Sequence, residues 1–176
     1  MASDGEEEGR RVLLRIVLLL RFLESFSYYT LNNVFTLHLT EVLGLSDAAA
    51  GTLFGLRGAV QTLYGVALGP IVDRVGLVRS LGAAFALCTL GRSVFAVAQS
   101  REAALVAVYG PMAIGHALVG TVLAIGVKRA TESADDDDNA AAASWGFAWS
   151  YCATVLGIMC CGPFIDAATI AQHPAP

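Results

Sequence analysis

The sequence has little charge, and therefore little with which to cover itself in water. Only 15% of its 176 residues are charged, whereas 56% are hydrophobic, and its mean hydropathy is +0.63. A soluble domain carries about 25% charged residues. We therefore expect the chain to be solvated by a lipid bilayer, and no cluster of basic residues suggests a nucleic-acid partner.

Signals for secretion, metal binding and enzyme chemistry are also missing. The first nine residues are acidic and lack the basic start of a secretory signal, so we expect the first apolar segment to stay as an anchor. The four cysteines are Cys88, Cys152, Cys160 and Cys161. They lie in apolar runs without metal-ligand spacing and are interpreted as small hydrophobic residues. We predict no metal and no cofactor, and no Ser-His pair or paired intramembrane aspartate indicates an enzyme.

Five apolar stretches approach or exceed the roughly 20 residues that cross a bilayer as a helix. They cover residues 12–39, 48–71, 77–98, 103–127 and 140–165. Ser46 or Asp47 is the candidate cap of the second helix. The expected fold is an all-α membrane protein, and its domains are an acidic N-terminal tail over 1–11, a transmembrane bundle over 12–166 and an exposed C-terminal end over 167–176.

The Lys and Arg residues of the loops predict the orientation in the membrane. With a cytoplasmic N-terminus, seven of them lie on the cytoplasmic side and only Arg101 lies on the other side. The seven are Arg10, Arg11, Arg15, Arg74, Arg79, Lys128 and Arg129. We expect a multi-pass integral membrane protein in this orientation. The loop from Lys128 to Asn139, with four consecutive aspartates, is interpreted as a solvated linker, and a regulatory tail is the alternative.

A charged turn separates the second and third apolar stretches. It reads G-P-I-V-D-R-V-G-L-V-R, and the second helix is expected to end at its Gly-Pro pair, leaving the charged residues in a polar loop. The pattern G-x-x-x-D-R-x-G resembles the loop between the second and third helices of the major facilitator superfamily, which implies a cytoplasmic latch. The residues of this latch motif are Gly69, Asp73, Arg74 and Gly76, with Arg79 in place of the basic pair that usually follows in the family.

A second Gly-Pro segment echoes the first. Residues 69–73 read G-P-I-V-D and lie at the end of the second stretch. Residues 162–166 read G-P-F-I-D and lie at the end of the fifth stretch. Facilitator halves contain two inverted three-helix repeats in which these helices correspond. Frequent use of Gly, Pro and Asp at helix ends explains the echo equally well. The resemblance implies the N-terminal portion of a half-bundle without its sixth helix, so we expect a fragment whose partner is a missing C-terminal half or another chain.

The first stretch carries polar residues that helical spacing places on one stripe. Arg21, Glu24, Tyr28 and Asn32 are three, four and four positions apart. A charge at mid-bilayer costs about 2.5–3.5 kcal/mol on insertion scales, so it is retained where it faces a partner or a polar cavity. Arg21 and Glu24 are interpreted either as a neutralising pair or as part of a cavity in which Glu24 accepts a proton.

The same segment resembles the first-helix signature E-x-x-E-R-F-x-Y-Y-G of the proton-coupled oligopeptide transporters. The matching residues are Glu24, Phe26, Tyr28 and Tyr29. Arg21, Ser25 and Thr30 depart from the signature, where the family has Glu, Arg and Gly. The resemblance implies proton coupling through Glu24, and because it covers only ten residues it supports the superfamily rather than peptide specificity.

Further polar residues lie inside the second, third and fourth stretches. With Arg21, Tyr28 and Asn32, the substrate-contact candidates are Arg57, Gln61, Arg92 and His116. Counting from the ends of the stretches places Glu24, Arg57, Arg92 and His116 within roughly two turns of the bilayer midplane, where transporter sites lie. A lone histidine is also a common interhelical donor, and Arg92 alternatively reaches the outer interface.

Glycine pairs in the second stretch predict where helices pack closely. Gly51 with Gly55, and Gly65 with Gly69, have the four-residue spacing that lets helix backbones approach in lipid. Glycine is frequent in membrane helices, so this pattern alone is a weak predictor.

These features together predict a secondary active transporter of a small solute that works by alternating access. Three arginines against one glutamate favour an anionic or carboxylate-bearing solute, and Glu24 makes proton symport a candidate mechanism. The alternative is a non-transporting membrane protein that binds or regulates a full-length paralogue. The predicted partners are the lipid bilayer, the solute and the rest of the transporter.

Overall fold

The computed structural model of the chain describes residues 4–131 and 136–172, and side chains for residues 5, 7–131 and 141–163. The described chain is almost entirely helical. Its α-helices are α1 (Asp4–Leu37), α2 (Asp47–Val75), α3 (Leu77–Val97), α4 (Arg101–Ala107), α5 (Ala113–Thr131) and α6 (Asp136–Gln172). Two π-helical segments, His38–Val42 and Val108–Met112, continue α1 and join α4 to α5. The predicted all-helical class is confirmed.

Three helices in the described part of the chain are long and apolar enough to cross a membrane. They are Leu77–Val97, Arg101–Thr131 and Ala141–Pro163. These segments overlap the third, fourth and fifth predicted spans, which supports a membrane protein with transmembrane helices. Helices α1 and α2 are also long, but their ionised residues, such as Arg21, Glu24 and Arg57, make them less apolar. The count of five spans is therefore not confirmed.

The chain divides into two compact units. The first contains the chain up to Asn33 and from Ile125 onward, so it holds most of α1, the end of α5 and α6. The second runs from Val34 to Ala124 and holds α2, α3, α4 and most of α5. Within the second unit, α3 packs against α2, α4 and the π-helical segment Val108–Met112.

The second helix continues past the Gly-Pro pair at which it was expected to end. Pro70 lies inside α2, which runs on to Val75, so Asp73 and Arg74 belong to its last turn. Membrane helices tolerate an internal proline because neighbouring groups satisfy the freed backbone carbonyl. The helix ends at Gly76, whose φ of +91° is a conformation that favours glycine. The expected polar loop is thus reduced to one residue, because α3 already begins at Leu77.

The expected linker between the fourth and fifth spans is also shorter than predicted. Lys128 and Arg129 lie in the last turn of α5, and α6 already begins at Asp136. Three of the four consecutive aspartates therefore belong to a helix N-terminus, where negative charge is favoured by the helix dipole; Asp135 lies outside the described residues. Pro163 lies inside α6, as Pro70 lies inside α2.

Ser46 caps α2, as one of the two expected candidates. Its side-chain oxygen accepts a hydrogen bond from the backbone N–H of Ala49 at 3.3 Å. Ser100 caps α4 in the same way, with Ala103 as the donor at 3.2 Å. Both caps satisfy N–H groups that the first turn of a helix leaves without an intrahelical acceptor.

Close helix packing occurs at other glycines than the predicted pairs. At Gly51, Gly55, Gly65 and Gly69, an added Cβ would have no described atom within 4 Å. An added Cβ at Gly91 would lie 2.8 Å from the Cβ of Met112, and one at Gly115 would lie 2.6 Å from Cys88 Sγ. The four-residue spacing was therefore a poor guide, because contact depends on which helix face meets a neighbour.

Candidate functional site

The polar stripe of α1 meets α6 within the first unit. The guanidinium of Arg21 lies 3.6 Å from the carboxylate of Glu24, and Arg21 Nε donates a hydrogen bond to Thr154 Oγ1 at 3.0 Å. Ser25 Oγ is 3.5 Å from the same carboxylate. The exposed fractions are 31% for the Arg21 side chain and 13% for Glu24. Arg21 therefore binds partners on both helices. The pair with Glu24 was one of the two interpretations of the sequence, whereas the contact with Thr154 on α6 was not predicted.

Gly157 explains how α1 and α6 come close enough for this contact. A Cβ added to Gly157 would lie 2.7 Å from the backbone oxygen of Phe22 and 2.9 Å from the backbone nitrogen of Phe26. Both atoms belong to the α1 backbone, so the two helices pack there without an intervening side chain. Thr154 lies one turn earlier on α6, which places its hydroxyl within reach of Arg21.

Next to the far end of the α1 stripe, α1 has a second contact with α6. Asn33 Nδ2 lies 3.6 Å from Cys161 Sγ, and Cys161 in turn lies 2.9 Å from the carbonyl oxygen of Ile158. The predicted candidate was its neighbour Asn32, which is half-buried. Tyr28 is also half-buried, and its ring packs edge-on against Tyr29 at 5.3 Å.

In the second unit, Arg57 is buried beside an aromatic cluster. Only 2% of Arg57 is exposed, and its guanidinium carbon lies 5.6 Å from the centre of the Phe35 ring. Phe35 also packs against Phe54 and Phe95, at 6.2 and 5.6 Å between ring centres. A cation over an aromatic face gains roughly 2 kcal/mol when both are desolvated. This contact offsets part of the cost of holding the guanidinium in the interior.

His38 extends the aromatic cluster. Its imidazole lies 4.6 Å from the ring of Phe95, and the π-helical segment that carries it follows directly on α1. Sequence reasoning did not find this cluster, because Phe35, Phe54 and Phe95 lie on three different helices. The three-residue spacing of Phe54 and Arg57 was the available signal, since it puts both on one face of α2.

Arg92 and His116 meet across α3 and α5. Arg92 Nη2 lies 3.4 Å from His116 Nε2, and His116 is only 2% exposed. A guanidinium only donates hydrogen bonds, so in this contact the imidazole nitrogen accepts. The close packing at Gly115, against Cys88 one turn before Arg92, brings the two side chains within reach. Both were substrate-contact candidates, and the structure brings them together.

The helix that carries His116 is bent just before it. Gly110 has φ −89° and ψ −107°, which is not helical, and Pro111 follows it inside the π-helical segment. The hydroxyl of Tyr109 donates a hydrogen bond of 2.7 Å to the backbone oxygen of Leu53 on α2. This bond ties the bend to the helix that carries Arg57.

The remaining candidates lie on helix surfaces or ends. Gln61 is half-buried on α2, one turn after Arg57. Of the latch motif, Asp73, Arg74 and Arg79 are exposed, in the last turn of α2 and the first turn of α3. The predicted midplane layer that joins Glu24 to the residues of the second unit stays a prediction.

Metal ligation and relationships to known proteins add no further site. Among the residues that the structure describes, no group of three or more His, Cys, Asp or Glu residues is arranged to hold a metal ion. Cys88 and Cys161 are buried, Cys152 and Cys160 are exposed, and none of these four forms a disulfide in the described part of the chain. No protein-family model matches the chain, and no curated protein matches it either.

Proposed function

We propose that the chain forms part of a secondary active transporter that moves a small anionic or carboxylate-bearing solute by alternating access. The observation that carries the proposal is the burial of Arg57 on a long helix, in a chain with three apolar helices of membrane-spanning length. A buried arginine in such a chain is costly and is kept where it serves a site. Its five N–H donors match a carboxylate in a bidentate geometry that lysine does not offer.

The neighbouring contacts distinguish the arginines from one another. Arg21 already binds Glu24 and Thr154, so its role in the proposal is to orient the α1 carboxylate rather than to bind the solute. Arg57 lies against Phe35 and Arg92 against His116. In the proposal, these two guanidinium groups donate hydrogen bonds to the carboxylate of the bound solute.

Glu24 is the proposed proton-coupling residue. Its carboxylate is 13% exposed and lies 3.6 Å from Arg21. When Glu24 takes up a proton, this ion pair is lost and Arg21 becomes available to other acceptors. The proposal thus links protonation on α1 to the contact between α1 and α6, which changes the packing of the first unit.

The exposed charges around Gly76 are proposed to form the cytoplasmic latch. In this proposal the chain is multi-pass, its N-terminus is cytoplasmic, and Asp73 and Arg74 contact another part of the transporter in one conformation only. Their positions at the end of α2, outside its buried face, leave them accessible to such a partner.

The proposal is tested by solute uptake into cells that express the protein from its own gene, with a panel of small carboxylates and their neutral amide analogues. We expect saturable uptake that prefers the carboxylates. Arg57→Gln should abolish this preference, whereas Arg101→Gln, which removes an exposed arginine, should leave it unchanged. Equal uptake of acids and amides by the native protein would exclude a carboxylate-bearing solute, and no saturable uptake of any solute would favour the regulatory alternative.

A further inference from the structure

A groove lined by arginines and tryptophans lies within the first unit, away from the contacts of Arg21 and Glu24. It is an open groove with a volume of about 350 Å³, lined by the N-terminal part of α1, the end of α5 and the start of α6. Its defining residues are Arg10, Arg11, Thr131, Trp145 and Trp149. We name it the Arg–Trp groove.

The packing of α5 against α6 builds one wall of the groove. Gly146 lies directly against the side-chain methyl of Thr131, and an added Cβ would be 3.2 Å from a methyl carbon of Val127. This close contact leaves Trp145 and Trp149, four positions apart, on the groove side of α6. Their exposed fractions are 67% and 56%, so neither indole is used to fill the protein interior.

Two arginines line the opposite wall, together with Glu7. Arg10 and Arg11 come from α1, and Arg11 forms an exposed ion pair with Glu7 at 2.6 Å. An exposed pair of this kind contributes little to stability, so Arg11 can exchange Glu7 for another anion at small cost. Outside the lining of the groove, Lys128 and Arg129 are two exposed cations at the end of α5.

The position of the tryptophans indicates what the groove binds. Both lie in the first part of Ala141–Pro163, one of the apolar segments that can cross a membrane. Tryptophan prefers the level of the lipid headgroups, where its ring is apolar and its N–H is hydrated. Basic pockets between membrane helices at this level fit phosphate-bearing headgroups. A soluble anion would not need the two exposed indoles.

We propose that the Arg–Trp groove binds an anionic phospholipid, with the headgroup phosphate at Arg10 and Arg11 and the upper acyl chains against Trp145 and Trp149. The proposal requires that the chain lies in a bilayer, but it does not depend on transport. It assigns a lipid partner to the N-terminal parts of α1 and α6, which have no role in the transport proposal.

The chain offers a direct optical test, because Trp145 and Trp149 are its only two tryptophans. The full chain is reconstituted into vesicles that contain a brominated acyl-chain lipid, which quenches tryptophan on contact. Brominated phosphatidylglycerol is compared with brominated phosphatidylcholine at equal mole fraction. A lysine or arginine near the surface favours an anionic lipid about fivefold, so we expect phosphatidylglycerol to bind the quenching site several-fold more tightly.

The controls separate this groove from general attraction of anionic lipid to a basic protein surface. R10Q/R11Q should bring the ratio of the two lipids close to one. R74Q/R79Q removes the same charge from the exposed turn around Gly76 and should keep the native ratio. Tryptophan emission is also recorded in phosphatidylcholine vesicles without brominated lipid. If both variants have the same emission as the native chain there, the helices around the tryptophans are folded.

Three outcomes would overturn the proposal. Equal quenching of the native chain by both lipids would show that the groove has no preference for an anionic headgroup. Equal loss of the preference in both double variants would show that only net charge matters. In the third outcome, millimolar glycerol phosphate is added to phosphatidylcholine vesicles that contain a small fraction of the brominated anionic lipid. If it relieved the selective quenching of the tryptophans, the groove would be reassigned to a soluble anion. None of these outcomes bears on solute uptake.

Discussion

The contact at Gly157 sets the distance between α1 and α6, and Gly157→Ala tests it with a single methyl group. The new Cβ would lie 2.7 Å from the backbone oxygen of Phe22, which is about 0.7 Å short of ordinary van der Waals contact. The clashing atoms are backbone atoms of a helix, so no side-chain rotation can relieve the clash. The helices must therefore separate along the line that joins Gly157 to α1.

The expected magnitude follows from two opposing effects. Overpacking of this kind costs about 1–3 kcal/mol, and the separation also lengthens the hydrogen bond from Arg21 to Thr154. Replacing glycine by alanine inside a helix returns roughly 1 kcal/mol through helix propensity. We therefore expect Gly157→Ala to lower the free energy of unfolding, because the cost of overpacking exceeds the gain in helix propensity.

The assay is equilibrium unfolding of the purified chain in mixed micelles with increasing dodecyl sulfate, followed by tryptophan emission from α6. The matched control is Gly65→Ala in the middle of α2, where an added Cβ meets no described atom within 4 Å. This control should be neutral or more stable than the native chain by up to about 1 kcal/mol. If Gly157→Ala were as stable as Gly65→Ala, the close contact of α1 and α6 would be refuted.

Three further predictions follow from contacts and charges of the described residues. In a chain in which Cys88, Cys152 and Cys160 are replaced by alanine, Asn33→Cys should form a disulfide with Cys161 on mild oxidation, whereas Asn32→Cys should not. Equal cross-linking of both variants would contradict the face of α1 that contacts α6 in the structure. Gly76→Ala should destabilise the chain by about 1–2 kcal/mol because its φ of +91° strains any other residue, and Gly82→Ala inside α3 serves as the control that should not. A cysteine at Gln99 should react with an impermeant thiol reagent from outside intact cells and one at Glu8 should not, and the reverse pattern would overturn the proposed orientation.

Local signals in the sequence predicted the helices well and their ends less well. Helix α3 was expected over residues 77–98 and runs over Leu77–Val97, because a glycine with positive φ precedes it and a polar turn follows it. The expected end of α2 at Gly69-Pro70 was wrong by one turn and a half. Proline is a common helix stop because it lacks the backbone N–H and its ring clashes with the carbonyl four residues earlier. Membrane helices nevertheless tolerate an internal proline where neighbouring groups satisfy the freed carbonyl.

The candidate residues could be selected from the sequence, but most of their contacts could not. An ionisable residue in an apolar stretch is conspicuous, so Arg21, Glu24, Arg57, Arg92 and His116 were all selected as candidates, and their roles stay predictions. Their partners Thr154 and Phe35 are ordinary residues of apolar helices, and nothing near them in sequence marks them. The pairing of Arg92 with His116 depends on the crossing of α3 and α5, which is fixed by single glycines rather than by the glycine pairs that spacing favoured.

Two of the helices that carry candidate charges, α1 and α2, are also the ones that composition leaves least able to enter a membrane alone, whereas Arg92 lies on the apolar segment Leu77–Val97. Helices α1 and α2 carry Glu24 and Arg57 and are absent from the three apolar segments of the described chain. Each charged group at mid-bilayer opposes insertion by about 2.5–3.5 kcal/mol, so these helices gain from insertion only together with the neighbours that satisfy their charges. The contact of Arg57 with Phe35 in the second unit, and of Arg21 with Thr154 in the first, supplies part of that compensation. Glu24 and Arg57 therefore make the insertion of α1 and α2 depend on helix packing, so the polar candidates and the close glycine contacts are under the same physical constraint.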